Sequence, residues 1–145
     1  MRIYLDNCSF NRPFDDQNQI RISIETEAKI YIQEQIINRS LSLTWSYILD
    51  YENSANPFPE RKDVIKNWKK HAVADIDENQ SIINIANELH SIGVKSKDAL
   101  HVACAIELEC NYFITTDRKL IKKLSNFEKI EVVNPIDFIN VLEEE

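Results

Sequence analysis

The chain predicts an α/β fold, a three-layer α/β/α sandwich around a central parallel sheet, as one domain over residues 1–145. Three observations carry this expectation. Short apolar runs alternate with helical patterns along the whole length, which is how a parallel sheet covered on both faces is built. A length of 145 residues, 43% of them hydrophobic and 28% charged, suits one hydrophobic core. Acidic residues recur just past apolar runs or in helical first turns, and open α/β sheets gather ligands at the carboxyl ends of their strands.

Residues 2–6, RIYLD, read as a buried first strand that ends in an acid. NCSFNRPFDD then reads as a loop, with Pro13 as a breaker. From about residue 17 to 38, Ile20, Ile24, Ala28, Tyr31, Ile32 and Ile36 recur at three- and four-residue spacing. That is a long amphipathic helix whose Glu25, Glu27 and Glu34 face solvent. Residues 41–45 form the second strand, and Ser46 is the N-cap of a short helix carrying Asp50 and Glu52. Asn56, Pro57 and Pro59 end it, and Pro59 opens the next helix, where a first-turn proline has no bonded donor to lose. Val64, Ile65 and Trp68 point inward from it.

The helix over 78–92 carries Ile82, Ile83, Ile85, Ala86 and Leu89 and closes on Gly93, the only glycine, at the left-handed C′ position. Ser96 caps KDALHVACAIELE and puts Asp98 in the first turn, where the helix dipole also favours a carboxylate. Residues 112–116 are an apolar strand, followed by Asp117 and the basic helix DRKLIKKLS. The last strand is 130–133, Pro135 starts a final helix, and the terminal EEE is a frayed end.

Several chemistries are set aside. One glycine cannot supply GxGxxG or GxxxxGK[ST], which excludes the common dinucleotide and P-loop sites. His71, His90 and His101 make no HExxH or close pair and read as structural or surface residues. No GxSxG marks a nucleophilic triad, and a glycine-poor domain has few loops with which to shape a sugar cleft. Cys8, Cys104 and Cys110 form no CxxC pair, which fits a reducing compartment. Cys104 and Cys110 read as core residues, and for Cys8, two residues past Asp6, packing is preferred over a place beside the crevice. No apolar stretch approaches the ~20 residues of a membrane span, and MRIYLDNCSF is not a signal peptide, so the expected location is cytoplasmic.

What remains is Asp6, Glu52, Asp98 and Asp117. Carboxylates converging on one crevice repel unless a cation neutralises them, and hard oxygen donors of this kind suit Mg²⁺ or Mn²⁺. The formal charge of −7 repels polyanions at long range. Locally, however, Arg12, Lys95, Lys97, Arg118 and Lys119 lie close in sequence to three of the four acids, which points to a phosphate-bearing substrate.

LDN after the first strand, Ser46 and Glu52 in S-x5-E, KDALHVACAIE, and ITTD before a basic helix make the chain resemble PIN-domain nucleases, including the VapC-type toxins of bacterial toxin–antitoxin pairs. The resemblance spans nearly the whole chain and rests on the order and spacing of the motifs. It implies an acidic pocket binding Mg²⁺ or Mn²⁺ and RNA hydrolysis by a metal-activated water. Asp6, Glu52, Asp98 and Asp117 fall on the family's catalytic and metal-binding acids. Thr115 falls on the threonine that orients a carboxylate or water, and Arg12, Lys95, Lys97, Arg118 and Lys119 are the expected RNA contacts. An antitoxin partner and a homodimer are further implications of the family. Two departures stand out: Cys8, with Ser9 beside it, occupies a position where the family often has Ser or Thr, and Asp50 competes with Glu52, which the family spacing favours. The alternatives are a noncatalytic PIN-like module that binds RNA or protein, and a DNA-processing nuclease.

Overall fold

Strand β1 (Arg2–Leu5) occupies the middle of the sheet because Ile3, Tyr4 and Leu5 are all fully buried, as a strand covered on both faces requires. The computed structural model describes residues 1–144, and among these five strands run parallel in the order β3-β2-β1-β4-β5. The others are β2 (Ser42–Ser46), β3 (Ala74–Ile76), β4 (Tyr112–Ile114) and β5 (Glu131–Val133). The chain winds outward from β1 through β2 to β3, then crosses back to β4 and β5. Right-handed crossovers in opposite directions put helices on both faces, giving the expected three-layer sandwich. The reversal between β1 and β4 is the topological switch point of the sheet. Leu5 pairs with Ile114 in register, so both strands end side by side there.

Eight α-helices are described: α1 (Asn7–Asn11), α2 (Ile20–Ile37), α3 (Tyr47–Ser54), α4 (Pro59–Trp68), α5 (Gln80–Ser91), α6 (Ser96–Glu107), α7 (Arg118–Lys123) and α8 (Pro135–Glu144). Helices α5 and α6 pack together with α6 against β2 and β4, while α2 packs on α8. Gly93 follows α5 with φ +98°, the left-handed conformation expected of it. Ser46 caps α3 by accepting the Leu49 N–H at 3.4 Å. Cys104 and Cys110 are core residues, as read.

The structure corrects several expectations. The segment after β1 is helical, because Asp6 caps α1 and a 3₁₀ turn follows over Arg12–Phe14. Strand β3 was not foreseen. Val64 is exposed, whereas Ile65 is buried. Lys95 holds the N-cap position of α6, so Ser96 is already its first residue and makes no cap bond.

The largest correction concerns α2. Glu25, Thr26, Lys29, Ile32 and Ile36 are buried, while Ile20 is 78% and Ile24 46% exposed. The two charged residues that sit inward, Glu25 and Lys29, are met there by other side chains. Glu25 lies 3.5 Å from both Arg12 Nε and Arg21 Nε, and the Lys29 ammonium sits over the rings of Phe10 and Trp68 at 5.1 and 5.9 Å. Gln33, with its amide oxygen turned to satisfy both neighbours, accepts from Lys29 Nζ at 2.5 Å and Trp68 Nε1 at 3.0 Å. Ile24, Ala28 and Tyr31 line a surface groove with Ile136, Ile139 and Leu142 of α8.

Burial pushes the Lys29 ammonium down from its ordinary 10.5 to about 7, a cost that the rings and Gln33 offset in part. Between these values the folded protein binds fewer protons than the unfolded chain, so stability rises with pH across that window. Lys29→Met is therefore expected to stabilise the protein at pH 6 by on the order of 2 kcal/mol and by less at pH 10. Urea unfolding at the two pH values checks this, and an equal effect at both would mean that the buried amine carries no such penalty.

Candidate metal centre

Asp6 and Thr115 each stand one residue past the end of neighbouring strands, β1 and β4, and their backbones extend the sheet: Asp6 N–H donates to Ile114 O at 3.3 Å and Thr115 N–H to Val133 O at 2.9 Å. Thr115 ties two acids together. Its hydroxyl donates to Asp6 Oδ2 at 2.6 Å, and its oxygen accepts the Asp117 N–H at 3.1 Å. Asp6 Oδ1 accepts the Ser9 N–H at 3.0 Å as cap of α1. Ser9 donates its own hydroxyl to Ile114 O, so it offers no hydroxyl to the crevice.

Asp117 caps α7: its Oδ1 accepts from Lys119 N at 3.0 Å and Leu120 N at 3.2 Å, leaving Oδ2 without a partner among the described residues. Asp98 lies in the first turn of α6 and has no hydrogen-bonded partner among the described residues. Asp98 and Asp117 line one small pocket with Lys95, Lys119 and Lys123. Glu52 projects from α3 and accepts a short hydrogen bond on Oε1 from His101 Nε2 of α6. Asp50 is engaged elsewhere, accepting from Trp45 Nε1 and Lys69 Nζ, both at 2.9 Å.

All four acids act electrostatically on a common neighbour, Cys8. The Cys8 thiol is pushed up to about 12 by the Asp6 charge first, then by burial, then by Asp117, Asp98 and Glu52. By surface area Cys8 is exposed, which corrects the preferred packing reading. Burial raises Asp6 to about 6 against the hydrogen bond from Thr115, the charge of His101 and the bonds from Ser9. Asp98 is raised by burial and by Asp117 and Glu52, with His101 and Lys95 opposing. Burial also acts to raise Glu52, but the bond and charge of His101, together with Lys97, outweigh it and hold the carboxyl below its usual range. Among the described residues, no three His, Cys, Asp or Glu side chains stand close enough to form a metal cage on their own.

The cations divide. Lys95 and Lys119 rim the Asp98–Asp117 pocket, and Lys97 lies 5.9 Å from the Tyr51 ring. Arg12 is tied to Asp15 at 3.1 Å and to Glu25, and Arg118 lines a separate hollow with Arg21, Lys122 and Asn134. Sequence reasoning missed the contact of His101 with Glu52. Its signal is a polar residue inside the apolar run ALHVACA, three residues after Asp98 and therefore on the same helical face. The structural reading given to it holds in that the ring is buried.

No protein-family model matches the chain, and no curated protein is significantly similar to it in sequence. Solved structures do share its fold. FitAcB from Neisseria gonorrhoeae superposes with a TM-score of 0.60 at 15% identity, over 92% of this chain and 98% of that one. VapBC-1 from nontypeable Haemophilus influenzae gives 0.57 at 17%, over 94% and 99%. VapBC2 from Rickettsia felis, bound to a DNA fragment from their promoter, gives 0.57 at 14%, over 92% and 98%. At these identities the likeness is one of fold, and it agrees with the parallel-sheet sandwich that the PIN-like motifs imply.

Proposed function

We propose that the protein is a Mg²⁺- or Mn²⁺-dependent endoribonuclease that hydrolyses RNA phosphodiester bonds, acting in the cytoplasm as the toxin of a toxin–antitoxin pair. The observation that carries this reading is the placing of the acids beside the switch point of the sheet: Thr115 bonds Asp6 and the Asp117 backbone, Asp98 and Asp117 line one pocket, and His101, one turn after Asp98 on α6, bonds Glu52. All four offer hard oxygen donors, and the Oδ2 of Asp117 and the Oε2 of Glu52 accept no bond from the described residues. Mg²⁺ is commonly held by one or two carboxylates, with waters and substrate phosphate oxygens completing its sphere, so a cage of three side chains is not required.

A divalent cation held by oxygens of Asp6, Glu52, Asp98 and Asp117 would supply charge to neutralise the scissile phosphate and to acidify a water. The chain supplies the rest. Thr115 holds Asp6 and the backbone of Asp117 in fixed relation. Lys95 and Lys119 beside the acids, with Lys97, meet the RNA backbone, and the exposed Tyr51 ring offers a face for base stacking. Arg12 and Arg118, placed further out by their present contacts, reach only flanking phosphates. An antitoxin or a second copy of the chain are the proposed protein partners, and the open apolar groove between α2 and α8 is a surface of the kind such partners cover. No described helix is long and apolar enough to cross a membrane.

The test is cleavage of a labelled structured RNA and a matched single-stranded DNA with Mg²⁺, Mn²⁺ or EDTA. RNA cutting that needs the metal is the expected result. Cutting in EDTA would overturn the metal reading, cutting of DNA alone would make this a DNA-processing nuclease, and no cutting of either would favour a noncatalytic PIN-like binding module.

A further inference from the structure

Behind Glu52 runs a buried file of hydrogen bonds that no metal ligand requires and that the proposed reaction does not use. Glu52 Oε1 meets His101 Nε2; His101 Nδ1 lies 2.6 Å from Tyr4 Oη; Tyr4 Oη lies 2.6 Å from Ser46 Oγ; Ser46 Oγ accepts the Leu49 N–H. Tyr4 and Ser46 are fully buried and His101 nearly so, whereas Glu52 is only partly covered. The file therefore leads from the core outward and ends on the carboxylate.

Its polarity follows from donor arithmetic. An ionised carboxylate only accepts, so the proton between Glu52 and His101 belongs to Nε2. A ring bearing its single proton on Nδ1 would set a nitrogen lone pair against a carboxylate oxygen. In the neutral ring Nδ1 then accepts from the Tyr4 hydroxyl, Tyr4 from Ser46 and Ser46 from Leu49, whereas in the imidazolium Nδ1–H donates to Tyr4 instead; in both forms Nε2–H meets Glu52. The outcome is mechanical: β1 and the β2–α3 junction lock the imidazole, and the imidazole locks one oxygen of Glu52. Since α6 carries both Asp98 and His101, the same helix sets the positions of two acids.

We propose that His101 is a positioning residue, fixing Oε1 of Glu52 through its Nε2–H so that Oε2 remains free for the divalent cation, with Tyr4 and Ser46 holding the ring. The cation part rests on the metal reading proposed above; the clamp itself does not. Hydrogen-bonded supports of this kind typically change metal affinity 10–100-fold when removed.

Mn²⁺ binding, followed by titration calorimetry without RNA, tests the role alongside thermal melts. His101→Leu is expected to weaken binding by about 10–100-fold, and His101→Gln, whose amide reaches Glu52 from a similar distance, to restore most of it. Tyr4→Phe should fall between, because the ring keeps its donor but loses its orientation. If His101→Leu does not fold, His101→Asn replaces it, since its amide stops short of Glu52. Wild-type affinity in a folded Leu or Asn variant, or no rescue by Gln, would overturn the proposal. A metal-free readout separates it from the nuclease reading: ¹⁵N-edited NMR of the apoprotein should show His101 with Nε2 protonated and its proton slow to exchange. A bare Nε2 overturns the clamp whatever Mn²⁺ does, whereas a protonated Nε2 in a protein that binds no Mn²⁺ overturns the metal reading and leaves the clamp.

Discussion

Asp117→Asn is expected to lower metal-dependent RNA cleavage by on the order of 10²- to 10³-fold while leaving the melting temperature unchanged or slightly raised. The two halves of that result come from two tasks of one carboxylate. As N-cap of α7, Asp117 uses Oδ1 to accept from Lys119 and Leu120, and asparagine caps a helix about as well as aspartate. As a member of the acidic cluster it contributes charge, and that charge raises the Asp98 carboxyl next to it. Asparagine keeps the first and removes the second, relieving repulsion among the acids when no cation is bound. Asp117→Ala removes both, so it should lose the same activity and, in addition, about 1 kcal/mol of stability from the missing cap. Single-turnover cleavage and urea unfolding of the pair separate the tasks. An Asp117→Asn protein that cuts at the wild-type rate would leave Asp117 as a helix cap and nothing more.

What the sequence revealed and what it hid divide along the range of the forces involved. Asp6, Asp98 and Asp117 were legible because strand ends, caps and first turns are local features, each readable within a few residues. Strand β3 was not, because Ala74–Ile76 is a three-residue edge strand in which Ala74 and Ile76 are half-buried and Asp75 is exposed, so there is no apolar run to announce it. Spacing favoured Glu52 over Asp50, and residues two apart on a helix point in different directions, so only one of them was expected at the crevice. Trp45 and Lys69 settle where Asp50 lies.

Helix α2 shows a harder limit. Spacing and hydrophobicity chose Ile20, Ile24, Ala28, Tyr31, Ile32 and Ile36, and of these Ile32 and Ile36 are buried, but three- and four-residue spacing fits Glu25 and Lys29 with Ile32 and Ile36 equally well. The fold turns Glu25 and Lys29 inward, because Arg12, Phe10 and Trp68 from other segments, together with Arg21 one turn earlier on α2, converge on them. His101 was hidden for the same reason: the partner that orients it, Tyr4, lies 97 residues away. A buried polar residue acquires its meaning from its partners, and partners distant in sequence leave no local trace.

In EDTA, the apoprotein is expected to gain stability as the pH falls from 7 towards 4, and Asp6→Asn is expected to remove most of that gain. The sign follows from Asp6 being raised, largely by burial, to about 6 from its ordinary 3.8. Between these values the folded state holds a proton that the unfolded chain has released, so stability falls as pH rises through the window. At neutral pH the buried charge costs on the order of 3 kcal/mol. Asp98, raised for related reasons, adds to the same slope. Lys29 titrates in a separate window from about 7 upward, where stability rises with pH, so the two buried charges together place a stability minimum near pH 6 to 7. A divalent cation at pH 7 supplies the neutralisation that a proton supplies at pH 4, so saturating Mn²⁺ should flatten the wild-type curve on its acid side. The comparison with Asp6→Asn isolates the effect, because any constant loss of the Thr115 contact shifts the whole curve without changing its slope. Parallel wild-type and Asp6→Asn curves between pH 4 and 7 would mean that Asp6 carries no buried charge for a cation to relieve.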